Sequence, residues 1–345
     1  MTSLDNFIQR GLRVAKATIG LLSNNPSFVF NQEYFEGIKH HSVLEGEGWE
    51  IQSQWANFNL EFVNPIETST YDGLFIIIDT DIQPPLISID KDKVVAVGEW
   101  SRLEKQVSDK RYTLLGNQGL LFRFVLAVLE RKYGIYSFHA SGLYNEETNE
   151  LLIALGERGS GKSALMLSAL EKGLYKLLAG EILHVEISGD DLIFYRGSPR
   201  NNVRAGHLIY DFPILMKKIG IRFRDLADPW GTKVQVDLQK FMTKYEQVVN
   251  PQIILVIPRI EEHNKYCKFS YIDNKEKLKR VLTENISDKL RSLSLIYDTV
   301  PVGVIDDLEL TTKRYEFVKR FLEKANIKKV VSLFAGPHNC FDGWL

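Results

Sequence analysis

Residues 156–163 read GERGSGKS and match the spacing G-x-x-x-x-G-K-[ST] at every specified position. These residue types suit phosphate chemistry. Gly156, Gly159 and Gly161 let the backbone take conformations closed to other residues, so that successive N–H groups converge on phosphate oxygens. The helix expected from Lys162 onward adds the positive end of its dipole. The Lys162 ammonium is expected to reach the β and γ phosphates, and the Ser163 hydroxyl to coordinate Mg²⁺. The segment Gly156, Glu157, Arg158, Gly159, Ser160, Gly161, Lys162 and Ser163 is thus the expected nucleotide-binding loop, with ATP or GTP and Mg²⁺ as cofactors. The pattern specifies triphosphate binding and leaves open what is done with the phosphate.

Magnesium held by such a loop takes a second acidic contact at the end of a neighbouring strand. Three runs compete for that role: LFIIIDTD at 74–81, VGVIDD at 302–307 and KLLAGE at 176–181. The first precedes the loop by some eighty residues and reads as a structural strand. The second is weakly patterned. The third follows the loop's helix directly, which makes Glu181 the preferred metal carboxylate.

The elements that must position these groups are legible as patterns. An apolar run, LLIAL at 151–155, leads into the loop, and SALMLSALEK at 163–172 reads as a helix stopped by Gly173. Upstream, IYSFHASGLYNEETNELLIALG reads as two strands joined by a polar turn at 146–149, after a helix from about Asn117 to Lys132 that Gly134 stops. Downstream, EILHVEISGDDLIFYRG is a hairpin turning at 189–191, and SPRNNVRAGH is a polar loop carrying Arg200 and Arg204. Strand signals return at VQVDL and IILVIP. Helices are expected at 275–285 and 311–325, with a closing strand KVVSLF. Residues 1–110 read as mostly β, with DIQPPLISIDKDKVVAV a hairpin turning at DKD.

This order of features resembles the catalytic domain of HPr kinase/phosphorylase and related kinases, whose nucleotide fold is like that of phosphoenolpyruvate carboxykinase. The resemblance rests on FHASGL at 138–143, a hairpin, LLIALGERGSGKSAL, a helix ending EKG, and LLAGE, and it covers residues 113–260 best. It implies an α/β chain: an amino-terminal β-rich module over 1–112, then a P-loop nucleotide-binding domain over 113–345. It further implies ATP-dependent phosphorylation of a serine-type hydroxyl on a small molecule, peptide or protein. His139 corresponds to the family's histidine near the transferred phosphate, the alternative being a strand histidine satisfied by a backbone hydrogen bond. His139, Lys162 and Glu181 are the expected catalytic groups, and Arg200 and Arg204 the expected substrate contacts.

One departure matters. Where the family carries its first acidic residue, taken as the base that deprotonates the acceptor, this chain has Gly180. Base catalysis contributes typically about 10²–10⁴-fold, whereas phosphoryl transfer depends mainly on positioning and charge stabilisation. Two readings therefore stand: a kinase with an altered base, in which Gly180→Asp preserves or raises transfer, and a nucleotide-binding regulatory protein without transferase activity. A third, an ATPase, requires VGVIDD as the magnesium-binding strand.

Composition bounds the rest. The 345 residues carry 43 Lys plus Arg against 44 Asp plus Glu, a formal charge of −1, so nucleic acid is not the expected partner. No apolar run approaches the roughly 18 residues of a membrane span, and MTSLDNFIQRGLRVA does not read as a signal peptide, so a cytoplasmic chain is expected. Two cysteines make no disulfide framework. The closing AGPHNCFDGWL is read as a turn that packs Trp344 back onto the surface, the alternative being metal ligation by His338, Cys340 and Asp342. The patterns leave the oligomeric state open, a homo-oligomer included.

Overall fold

The computed structural model describes residues 7–25, 43–44, 60–64, 70–105, 114–116, 118–224, 226–291 and 305–345. The chain divides into two compact units, one of 1–37, 53–136 and 287–313, the other of 38–52, 137–286 and 314–345. Both mix strands and helices, so the α/β class expected from the sequence holds.

The first unit is built on six strands, β1 (Ile8–Val14), β2 (Ala17–Ser23), β3 (Leu60–Val63), β4 (Gly73–Asp79), β5 (Leu86–Asp90) and β6 (Lys93–Gly98), in the order β3-β1-β2-β4-β6-β5. The expected hairpin at DKD is present, with Asp90 opposite Lys93. At its centre β2, β4 and β6 run parallel. LFIII lies in β4, and the Asp79 that ends it is used locally: its carboxylate accepts from Trp100 N–H (2.9 Å) and Asn25 Nδ2 (2.6 Å). After α1 (Trp100–Lys105), α2 (Leu120–Val128) presses Phe124 onto Phe75 with ring centroids 6.2 Å apart. A π turn then runs to Gly134 at φ +61°.

In the second unit, strands continue as β7 (Ile135–Asn145), β8 (Glu150–Leu155), β9 (Lys176–Ala179), β10 (Ile182–Ser188), β11 (Asp191–Tyr195), β12 (Arg200–Arg204), β13 (Lys233–Asp237), β14 (Gln247–Val249), β15 (Gln252–Ile260), β16 (Lys268–Tyr271) and β17 (Ile327–Ala335). Helices continue as α3 (Lys162–Lys172), α4 (Pro213–Ile219), α5 (Lys275–Arg291) and α6 (Leu308–Lys324). The large sheet has the order β14-β11-β10-β7-β8-β15-β17-β16, with β9 also on β7; β12 and β13 form a separate ribbon. Strands β8, β15 and β17 are parallel.

The β8 run ELLIAL is buried along its length because both sheet faces are covered. On one face Leu152, Ala154, Ile254 and Val256 share a core with Leu165, Met166 and Ala169 of α3. On the opposite face Phe138 packs against Phe317 and Phe321 of α6, at 6.4 and 5.5 Å. Gly173, at φ +70°, stops α3 where the sequence places the stop.

Three expectations are corrected. SPRNNVRAGH is no loop: Arg200–Arg204 is strand β12, paired antiparallel with β13 from Arg200 opposite Asp237 to Arg204 opposite Lys233. The carboxy-terminal turn does more than lie on the surface, since Cys340, Phe341 and Trp344 are buried in the core that holds α3. Trp344 Nε1 donates to the Cys340 carbonyl at 2.7 Å, and Lys172 at the end of α3 donates to the His338 carbonyl at 2.8 Å. Among the described residues no group of three or more His, Cys, Asp or Glu could hold a metal ion, so the metal alternative for this tail falls. In VGVIDD, residues 302–304 lie outside the described residues, and Asp307 caps α6 by accepting from Leu310 N–H at 2.8 Å. Among the described residues no helix is long and apolar enough to cross a membrane.

His184 on β10 is wholly buried beside Ser137 on β7, with Nδ1 2.8 Å from the hydroxyl, and burial lowers its pKa to about 4. The unfolded chain then takes up a proton below about pH 6.5 that the folded chain excludes. Stability is full above that pH and declines as pH falls from about 6.5 toward 4, by up to about 3 kcal/mol. Chemical denaturation at pH 7, 6 and 5 is expected to show this slope, flattened in His184→Gln; equal slopes in the two proteins would exclude His184 as its source.

Candidate functional site

Residues 156–161 join the end of β8 to the start of α3, the strand–loop–helix context in which the glycine pattern has physical meaning. Gly156, Gly159 and Gly161 have φ of +147°, +87° and +97°, conformations that L side chains rarely adopt. At two of them space is also closed. A Cβ on Gly161 would lie 2.5 Å from Ile260 Cβ, and one on Gly156 would lie 2.6 Å from Ser160 Oγ. The Ser160 hydroxyl is buried over Gly156 with no hydrogen-bond partner, an orphaned donor inside the loop.

Lys162, the first residue of α3, is folded back along the loop, and its ammonium donates to the carbonyls of Gly156 (2.6 Å) and Glu157 (3.0 Å). Those bonds fix a cation at the mouth of the loop. Ile260, the last residue of β15, donates its N–H to the Ser160 carbonyl at 3.1 Å and ties the loop to the neighbouring parallel strand. Glu157 and Arg158 are exposed and Ser163 is half-buried at the helix start. A loop of this shape, with glycine backbone, a helix N-terminus and a fixed ammonium, fits a phosphate group; Ser163 supplies a hydroxyl of the kind Mg²⁺ takes.

His139 and Glu181 meet at this same end of the sheet. Ala140 pairs with Leu155, the residue before the loop, and its N–H donates to the Glu181 carbonyl at 3.1 Å. Strand alternation puts His139 on the sheet face that carries Leu143, the face α3 covers. The His139 backbone carbonyl accepts from Asn285 Nδ2 at 3.0 Å. Glu181 is half-buried between β9 and β10.

Arg200 and Arg204 share the face of β12 opposite Asn201 and Val203, and the Arg204 guanidinium donates to the Trp230 carbonyl. Arg204 is therefore engaged in holding the 228–232 turn, which also takes Gly206 N–H on Pro229 O at 2.7 Å.

Sequence reasoning misses Asn201. This buried residue stands directly over Gly180: a Cβ built there would fall 1.3 Å from Asn201 Oδ1 and 2.2 Å from its Cγ. Ser141, two residues beyond His139 on the same strand face, donates to the Gly180 carbonyl at 2.6 Å. The alternation in HASG signals Ser141; the Asn201 contact, between residues twenty-one apart on separate sheets, has no local signal.

No protein-family model matches the chain, and no curated protein matches it. Among solved structures, the Hpr(Ser) kinase/phosphatase from Coxiella burnetii aligns with 39% of this chain and 77% of its own, at 16% identity and a TM-score of 0.22.

The Gly180 contact gives substitution at that position a structural consequence of its own. Gly180→Asp alone drives a carboxylate into the Asn201 carboxamide, and is expected to cost about 1–3 kcal/mol of stability. The double change Gly180→Asp with Asn201→Gly opens the space and is expected to recover part of that loss. Thermal denaturation of the three variants checks it; a single variant as stable as the wild type would show that Asn201 moves aside freely.

Proposed function

We propose that this chain binds a nucleoside triphosphate, ATP or GTP, with Mg²⁺ through Gly156–Ser163 and transfers the terminal phosphoryl group to a hydroxyl on a small molecule, peptide or protein. The observation that carries the reading is the Lys162 ammonium held by the Gly156 and Glu157 carbonyls within a loop of three positive-φ glycines. The bound triphosphate and its metal supply an electrophilic phosphorus. Loop N–H groups and Lys162 hold the phosphate oxygens, with Ser163 and Glu181 facing the metal. His139 orients the acceptor or accepts its proton.

A second reading is favoured by one specific observation. The Asn201 carboxamide fills the space over Gly180, and a neutral amide takes no proton from an acceptor. On that reading the chain binds nucleotide and regulates a partner through occupancy. Incubation of the purified protein with γ-labelled ATP and Mg²⁺ against a cell extract, with small molecules and proteins resolved separately, decides between them. Label appearing in a product supports transfer; label remaining on nucleotide while calorimetry reports binding supports the regulator.

Both readings require the loop. Lys162→Ala is expected to weaken ATP binding at least tenfold by calorimetry, since a charge-assisted bond of about 1.5–3 kcal/mol is lost. Unchanged affinity would remove the nucleotide assignment. Glu181→Gln is expected to weaken binding in Mg²⁺ and leave metal-free binding nearly unchanged; equal effects would make Glu181 a structural carboxylate.

A further inference from the structure

We propose that the ring of Tyr266 is the stacking platform for the nucleobase, an inference that rests on the triphosphate reading of the 156–163 loop. The parallel strands β8, β15 and β17 all end at the edge where that loop emerges, and ligands of open α/β sheets lie outside such carboxyl ends. The connection 261–267 leaves β15 at Ile260, whose backbone is bonded to Ser160 of the loop, and crosses the end of β17 to reach β16. It is anchored along its length: Glu261 N–H donates to the Ala335 carbonyl at 3.0 Å, Asn264 N–H to the Glu261 carbonyl at 3.1 Å, and Tyr266 N–H to Asn264 Oδ1 at 3.0 Å.

On this anchored connection the Tyr266 side chain is 71% exposed, and its ring meets no other ring among the described residues. Its backbone is fixed while its apolar face is left to solvent, at the strand ends where the phosphate loop opens. Neighbouring strands lie about 4.8 Å apart, so the start of β16 stands three strand positions, about 14 Å, from β8 where the loop emerges, a span that an extended nucleoside triphosphate bridges. Two other exposed aromatics of this unit sit elsewhere. Tyr245 lies against Tyr144 near the far end of β7, and Tyr271 lies down β16 away from the loop edge.

Stacking on an aromatic face tolerates every base. The ligand class is therefore a nucleoside triphosphate, with weak discrimination among bases.

The test uses the full chain with ATP, GTP and inorganic tripolyphosphate, each with Mg²⁺, in calorimetry. Tyr266→Ala is expected to weaken ATP and GTP about 5- to 100-fold and to leave tripolyphosphate within twofold, while Tyr266→Phe keeps wild-type affinity for all three. Unchanged ATP and GTP affinity in Tyr266→Ala, or an equal loss for tripolyphosphate, overturns the stacking role and leaves the loop assignment standing. A wild-type chain that binds neither ATP nor tripolyphosphate overturns the loop assignment itself.

Discussion

The close approach of Gly161 to the end of β15 governs the site. Ile260 lies where a side chain on residue 161 would have to go, and its N–H holds the Ser160 carbonyl. The loop is therefore shaped from outside, by a strand paired parallel to the one that delivers it. A glycine at φ +97° is the form that both satisfies that contact and starts α3 with Lys162 pointing back over the loop. Were β15 displaced by one strand position, neither the tie to Ser160 nor the turn into the helix would survive. The carboxy-terminal turn contributes from the other side, because Cys340, Phe341 and Trp344 bury against the same helix and Lys172 is bonded to His338. Helix α3 is thus fixed at both ends, as the proposed phosphate site would require of its helix start.

Much of this was legible in the sequence because local and tertiary demands agree. The β8 run is apolar on both faces and ends at a glycine, the α3 run has helical spacing and ends at Gly173, and the hairpin at 189–190 turns on a positive-φ glycine. Where the two demands diverge, the pattern misleads. RNNVR has one apolar residue in five and reads as a loop, yet pairing with Lys233–Asp237 makes it a strand, since ladder hydrogen bonds do not depend on side-chain hydrophobicity. PHNCFDGWL carries the polar and turn residues of a surface tail, and still places a cysteine and two aromatics in the core. Asp307 shows the converse. In sequence it reads as one of two carboxylates after an apolar run, and in the structure it accepts from the Leu310 N–H at the start of α6.

The placing of His139 and Glu181 at one end of the sheet is of a third kind. Each was nameable as a candidate, but their meeting follows from register. Ala140 is opposite Leu155 on one side and bonded to Glu181 on the other, so three chain segments separated by up to forty-one residues share one level of the sheet. Side-chain alternation then leaves His139 and Ser141 on the α3 face.

At that level Gly180 and Asn201 are complementary. The glycine has no side chain, and the asparagine occupies the volume that one would take; either residue alone would leave a void or a clash. The pair therefore acts as a unit that sets a buried amide next to the residue before Glu181. A neutral amide accepts no proton at neutral pH, so of these neighbours only His139 and Glu181 carry groups able to take one. His139 lies buried on the helix-covered face, and on the kinase reading proposed above it is the group left to take the acceptor's proton.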